Sequence, residues 1–166
     1  MILLAALLQS GGVVELDAEL LAANSATVVL QKRCAVPIRA EVDRTADKPA
    51  DADVRADLGA GDGTKLVYRL VRLKCGDVVY SRAENWYRPD RLTGDMNTTL
   101  LSGDTPFGVV VRPLSPTRRT LSRAIALEEG LVLRHRAVVL SGDGTPLAEV
   151  VESYTEALPL AVPASH

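Results

Sequence analysis

The clearest pattern in the chain is the alternation of apolar and polar residues after Thr64. Two segments typical of β-strands lie in "TKLVYRLVRLKCGDVVYSRAENWYRP", and the turn residues Cys75, Gly76 and Asp77 separate them. The runs "FGVVVRPLSPTRRTLSRAIAL", "GLVLRHRAVVL" and "TPLAEVVESYTEAL" follow, with a "SGDG" turn between the last two. Short turns join antiparallel strands, whereas parallel strands need a long crossover. The pattern therefore predicts an antiparallel sheet.

The first third of the chain is predicted to be helical. "DAELLAAN" is typical of a helix, and Asn24 or Ser25 can cap the start of "ATVVLQKRC". The apolar "MILLAALLQ" lacks a basic region and a cleavage site and is too short to span a bilayer, which favours a helix packed in the core. "DRLTGDMNTTLLSG" indicates a short helical or irregular crossover. We expect an α+β fold, with one antiparallel sheet of about six strands and helices, mostly N-terminal, packed on one face.

The length of 166 residues predicts a single domain, residues 1–166. Residues 44–63, "RTADKPADADVRADLGAGDG", contain no aromatic side chain and many Asp, Ala and Gly, which indicates a flexible loop or flap. The tail, residues 159–166, is predicted to be frayed.

Composition and charge exclude several classes of function. The net charge is −2, so no basic footprint for nucleic acid is indicated, and aromatic residues make up only 4%, which leaves few platforms for stacking bases. Two histidines without clustered cysteines or acids argue against a metal site. Cys34 and Cys75 lack metal or redox spacing, which favours thiols in a reducing compartment, and the cytoplasm is the expected location. No membrane partner is expected.

Charged residues interrupt the apolar faces of two predicted strands. Arg69 shares a face with Val67, Val71 and Leu73, because side chains alternate along a strand. In "GTPLAEVVESY", Glu149 and Glu152 must point to opposite faces. Glu152 then shares the face of Ala148, Val150 and Tyr154, and Glu149 is predicted to face solvent.

Two interpretations of these charges stay open. Arg69 and Glu152 can be structural, either paired with each other or reaching to an edge of the sheet. Alternatively, they are the two poles of a mostly apolar pocket for a small organic acid. The turn "GDTPFG" could add to such a pocket, because it can aim the N–H of Phe107 or Gly108 at a ligand carboxylate. His135 has no Ser or Cys partner, so a catalytic triad is not supported.

The order and spacing of five segments resemble those of the chorismate lyase family. The segments are "NSAT", the Arg69 strand, "DTPFG", "GLVLRHRAVVLSG" and the Glu152 strand. The resemblance covers residues 17–158. Members of that family split chorismate into 4-hydroxybenzoate and pyruvate on a single antiparallel sheet packed with helices. The resemblance therefore implies a cytoplasmic lyase without cofactor or metal, acting on a small carboxylic acid as a monomer or weak homodimer.

The resemblance also implies roles for individual residues. Arg69 would grip the ring carboxylate together with the Phe107 backbone N–H. Glu152 would act at the C4 ether oxygen as a proton-carrying group, and the backbone of Ala26 would lie near the ligand. Many members read Ala-Arg-Thr where this chain has Ala-Glu-Asn, so Glu84 replaces an anion-binding arginine. Gly108, Glu84 and Arg134 complete the candidate substrate-binding residues.

A second function is compatible with the same fold. Effector-sensing domains of GntR-type transcription regulators share it, and "GDGTPLAEVVESY" resembles the end of such domains. No winged-helix segment is recognisable in the sequence. The alternative to a lyase is thus a non-catalytic domain that binds a small aromatic or organic acid.

Overall fold

The computed structural model describes residues 2–125 and 128–164, with side chains described from Gly11 onward. Within these ranges the helices are α1 (Ile2–Ala22), α2 (Ala26–Gln31), α3 (Ala52–Asp57), α4 (Gly94–Ser102) and α5 (Phe107–Val110). The strands are β1 (Arg39–Asp43), β2 (Val67–Cys75), β3 (Val78–Tyr87), β4 (Thr117–Ile125), β5 (Leu131–Leu140) and β6 (Pro146–Thr155). They form one six-stranded sheet in the order β1-β2-β3-β6-β5-β4, with antiparallel neighbours throughout. The predicted α+β class and sheet are confirmed.

Two glycines explain why the predicted hairpins close tightly. Gly76 has φ +56° between β2 and β3, and Gly144 has φ +86° between β5 and β6. Side chains other than Asn and Asp rarely adopt this left-handed region, so glycine is favoured at both turns. The turns fix which residues share a face on β2, β3, β5 and β6.

One segment differs from its predicted structure. The sequence pattern groups "FGVVV" with the strands, but Phe107–Val110 form the short helix α5. Pro106 lies in an extended conformation just before the helix, and its carbonyl accepts the N–H groups of Val109 and Val110. A short apolar run does not distinguish a strand from a buried helical turn, because both bury continuous apolar residues.

The two faces of the sheet carry different layers. The face that bears Val71, Ala83 and Tyr154, which we call the inner face, packs against α1 and α2 in the largest core cluster. The opposite, outer face packs against α3, whose Val54 lies with Trp86 in a smaller cluster. Helices thus lie on both faces, and not only on one as predicted.

The segment predicted as a loop or flap, residues 44–63, contains helix α3. Asp51 caps this helix by accepting the N–H of Val54 at 2.9 Å. Leu58 is fully buried against the outer face. This contact was not visible in the sequence, because the segment carries only two larger apolar residues among many polar and small ones.

The C-terminal segment contacts the rest of the protein up to Leu160, although residues 159–166 were predicted to be frayed. Leu158 is buried in the main core cluster, and the Leu160 carbonyl accepts a 3.1 Å hydrogen bond from Arg33. A Cβ on Gly12 would overlap the Leu160 side chain, so α1 approaches the tail closely. The prediction that "MILLAALLQ" packs in the core concerns side chains outside the described ones. None of the described helices is both long and apolar enough to cross a membrane.

Cys34 and Cys75 form a disulfide, which corrects the prediction of two free thiols. Cys34 lies just after α2, and Cys75 ends β2. Their 41-residue separation gave no redox signal in the sequence, because only the fold brings the end of α2 to the end of β2. The bond ties the helix α2 to the strand that carries Arg69.

We expect the Cys34→Ser/Cys75→Ser double variant to be less stable by about 4 kcal/mol, because the bond removes the closure entropy of a 41-residue loop from the unfolded chain. Urea unfolding of the variant and of the oxidised protein measures the difference. Adding a reductant to the wild type should reproduce it. Equal stability of the reduced and oxidised proteins would contradict the prediction.

Candidate functional site

A small chamber lies on the inner face of the sheet, beneath the start of α2 and the turn before α5. Its cavity volume is about 40 Å³. On the sheet, its lining includes the polar side chains of Arg69, Asn85, Arg118 and Glu152 and the apolar residues Val71, Ala83 and Val150. The polar residues Asn24, Ser25 and Thr27 also line it. A wider surface depression of about 500 Å³ adjoins it, since Asn24, Ser25, Gly108 and Pro116 line both.

Arg69 lies in this chamber with an incomplete set of partners. Arg69 is 4% exposed, and its Nη2 donates one hydrogen bond to the Thr105 carbonyl at 3.1 Å. Within the described part of the chain, Nε and Nη1 have no acceptor. Burial lowers the pKa of Arg69 to about 10, so the guanidinium is still charged at neutral pH. A buried guanidinium with free N–H groups has the donors that an anion can accept.

Asn85 stands directly opposite Arg69 across the β2–β3 pair. It is 4% exposed, and its Oδ1 has no donor among the described residues. Cross-strand neighbours of this kind have Cβ atoms about 5 Å apart. The chamber therefore places an unused acceptor beside unused donors.

Glu152 has partners that the sequence did not reveal. Its Oε2 lies 2.6 Å from Nη1 of Arg118 and accepts the Tyr154 hydroxyl at 2.9 Å. Both side chains of the ion pair are at least nine-tenths buried. Glu152 therefore has a cationic partner that the sequence did not predict, and its role as a proton-carrying group stays a prediction. Arg69 is not the ion-pair partner of Glu152.

Two helix starts form the wall opposite the sheet. Ala26 begins α2, Phe107 begins α5, and both line the chamber. The N–H groups of Phe107 and Gly108 are in the first turn of α5, so the helix itself offers them no acceptor. A Cβ on Gly108 would overlap the Ser25 hydroxyl, so glycine permits the close approach of the two helices.

Two candidate residues lie on the other face of the sheet. Glu84 accepts hydrogen bonds from Lys48 and Tyr68 at 2.9 and 2.8 Å. Arg134 donates to the Ser153 hydroxyl and to Glu128. Alternation explains the separation, since Glu84 follows Ala83 and precedes Asn85, both of which face the chamber. Glu84 and Arg134 therefore do not line the chamber.

Glu149 also departs from its predicted position. It is on the outer face as expected, but it is fully buried rather than solvent-exposed. Arg136 pairs with its Oε1, and burial raises the pKa of the Glu149 carboxyl. Helix α3 covers the outer face and explains the burial of Glu149, and no pattern in the sequence indicated that layer.

A buried polar network connects the chamber to α1. His135 is fully buried, with Nε2 2.7 Å from Asp17 and Nδ1 3.5 Å from Arg118. Asp17 also pairs with Arg123, and Arg118 pairs with Glu152. Burial lowers the pKa of His135, and the Arg118 charge acts in the same direction, while Asp17 and Glu152 oppose them. The imidazole is therefore neutral in the folded protein at neutral pH.

The lowered pKa of His135 predicts a loss of stability in acid. The unfolded chain takes up a proton on this side chain below about pH 6.5, before the folded protein does. The free energy of unfolding should therefore be greatest above pH 6.5 and fall as the pH falls through that value. Urea unfolding of the wild type and His135→Asn across this range isolates the effect. A wild-type-minus-variant difference that stays constant with pH would contradict it.

Sequence reasoning missed Arg118 and Asn85, which complete the chamber. Arg118 lies on β4, where polar residues occupy both faces. Its charge therefore did not stand out against an apolar face, as the charges of Arg69 and Glu152 did. Asn85 was not predicted as a site residue, because the charge of the neighbouring Glu84 was the more conspicuous feature of this segment. The signal for Asn85 was its position two residues after Ala83, which puts it on the same face as Ala83 and beside Arg69 across the β2–β3 pair.

Comparison with known proteins identifies a relative of similar sequence. The chain is 39% identical over 170 aligned residues to the uncharacterized protein y4mC of Sinorhizobium fredii (strain NBRC 101917 / NGR234). The match spans 84% of this chain and 72% of that protein. No protein-family model matches the chain.

Solved structures with a similar fold are parts of transcriptional regulators. The effector domain of PhnF from Mycobacterium smegmatis superimposes with a TM-score of 0.59 at 13% identity, over 80% of this chain and 88% of that one. The ligand-binding domain of a protein described as a GntR-family regulator from Bordetella bronchiseptica gives 0.50 at 12%, over 78% and 88%. The possible regulator YydK from Bacillus subtilis gives 0.52 at 14%, over 77% of this chain. The chain spans 62% of YydK. At these identities the likeness concerns the fold.

Proposed function

Because this chain belongs to the family of the Sinorhizobium fredii protein y4mC and has the fold of regulator ligand-binding domains, we propose that it binds a small organic acid without converting it. The observation that supports the proposal most strongly is the incomplete hydrogen bonding of Arg69. Its guanidinium is buried, charged, and bound through a single hydrogen bond to the Thr105 carbonyl. A ligand carboxylate would supply the acceptors that its other N–H groups lack.

The charge balance of the chamber supports a ligand with one negative charge. Arg118 and Glu152 are paired at 2.6 Å and compensate each other. Arg69 then contributes one uncompensated positive charge. A monocarboxylate would neutralise it, and the N–H groups at the start of α5 would add donors on the same side.

The size of the chamber supports an acid smaller than an aromatic ring. A volume of about 40 Å³ is room for roughly three water molecules. A cavity known to bind benzene has a volume of about 150 Å³. We therefore favour an aliphatic acid of two or three carbons, with the depression that shares Ser25 and Gly108 as its entrance.

Chorismate cleavage is the second candidate function. It is favoured by the presence of Arg69, Phe107 and Glu152 in the lining of one chamber, as the resemblance to chorismate lyases implies. Two observations weigh against it. The chamber is smaller than the substrate's ring, and the Arg118 guanidinium engages the carboxylate that would have to act as an acid.

Calorimetric titration with acetate, propionate and benzoate at neutral pH tests the proposal, alongside incubation with chorismate and measurement of pyruvate. We expect saturable binding of the aliphatic acids, weaker binding of benzoate, and no pyruvate release. Release of pyruvate at a rate that depends on Glu152 would replace the proposal by the lyase. Absence of binding by all three acids would refute it.

A further inference from the structure

We propose that the ligand of this chamber is a 2-hydroxy acid, and that Asn85 selects its hydroxyl group. The proposal rests on the proposed function, since it names the class of acid that Arg69 would hold. It starts from the second unpaired group in the chamber. The Oδ1 atom of Asn85 is buried and lacks a donor among the residues that the structure describes. Buried acceptors without a donor are rare in folded proteins, and a ligand is one way to satisfy them.

A ligand with two kinds of polar atom would satisfy both Asn85 and Arg69. Arg69 needs acceptors for Nε and Nη1, and Asn85 needs a donor for Oδ1. The two residues are direct cross-strand partners and line the same chamber, so a single small molecule reaches both. A carboxylate with a hydroxyl on the adjacent carbon presents both kinds of atom within the size of three water molecules.

The same groups disfavour other small anions. Sulfate presents only acceptor oxygens, which would face the Asn85 oxygen without a proton to share. A 2-amino acid carries an ammonium group, whose positive charge would be repelled by the charge of Arg69 in the same chamber. Glu152 does not offset this repulsion, because its carboxylate already pairs with Arg118. A neutral hydroxyl avoids both conflicts.

Lactate, propionate and alanine test this selection, because the three differ only at the second carbon. We expect lactate to bind about tenfold more tightly than propionate, the effect of one buried hydrogen bond, and alanine to bind more weakly than lactate. Calorimetric titration at neutral pH on the full chain gives all three affinities. This comparison needs no variant, so it holds whether or not a substitution at Asn85 folds.

The Asn85→Leu variant tests whether Asn85 causes the preference for lactate over propionate. Leucine resembles asparagine in shape and has no acceptor, so the roughly tenfold preference for lactate over propionate should disappear in this variant. Ser81→Ala is the matched control on the same strand, since Ser81 is buried but does not line the chamber.

The outcomes separate the two proposals. Equal affinity for lactate and propionate would overturn the role of Asn85 but leave acid binding at Arg69 in place. A lactate preference that survives in Asn85→Leu would also overturn it. Tighter binding of alanine than of lactate would overturn the hydroxy-acid class. If none of the three acids binds, acid binding itself fails.

Discussion

The Arg69→Met variant is expected to be at least as stable as the wild type, and up to about 3 kcal/mol more stable. The reason is that Arg69 keeps a charge inside the protein with one hydrogen bond, to the Thr105 carbonyl. Replacing a poorly compensated buried charge by an apolar side chain of similar length removes a desolvation cost. Urea unfolding measures the difference. A residue kept at a cost in stability is typical of a binding site.

Arg72→Met is the matched control for this prediction. Arg72 is on the same strand but on the outer face, where it is exposed and pairs with Glu41. Surface ion pairs contribute at most about 1 kcal/mol, so this variant should change stability little. A loss of more than about 2 kcal/mol in Arg69→Met would mean that the arginine is structural, and would contradict the prediction.

The Glu152→Leu variant is expected to lose about 3–5 kcal/mol of stability. Removing the carboxylate leaves the Arg118 guanidinium, whose side chain is 3% exposed, as an uncompensated buried charge. The Tyr154 hydroxyl would also lose its acceptor. The double variant Arg118→Met/Glu152→Leu should regain most of the loss, because both charges are then absent. Thermal and urea unfolding of the two single variants and the double variant measure this coupling.

Glu149→Leu gives the comparison on the same strand. Glu149 is paired with Arg136, whose side chain is about one-third exposed and can be hydrated once its partner is removed. We therefore expect a smaller loss than for Glu152→Leu. Equal losses at the two glutamates, or no recovery in the double variant at Arg118 and Glu152, would contradict the buried ion pair.

Local turn chemistry and alternation predicted the sheet well. Gly76 and Gly144 mark hairpins whose strands have regular apolar faces, so local sequence was sufficient there. Contacts between distant segments were not predictable in the same way. The Cys34–Cys75 disulfide and the packing of Leu58 on the outer face both depend on where the chain returns in space. No local pattern encodes that return.

The candidate site was predictable where a charge contrasts with an apolar face. Arg69 and Glu152 stood out for this reason, and both line the chamber. The partner of Glu152 did not stand out, because Arg118 lies on a strand with several other charges. Asn85 could be recognised only from the β2–β3 register, which puts it opposite Arg69. The roles of Phe107, Gly108 and Ala26 in ligand binding stay predictions.

Above all, we propose that the unpaired N–H groups of Arg69 hold a small carboxylate. Calorimetric titration of lactate into the wild type and into Arg69→Met tests it most directly. We expect a saturable one-to-one interaction in the wild type that is weakened about tenfold to a hundredfold in the variant, because the charge-assisted hydrogen bonds of Arg69 are lost. Equal affinity of the two folded proteins for lactate would contradict it.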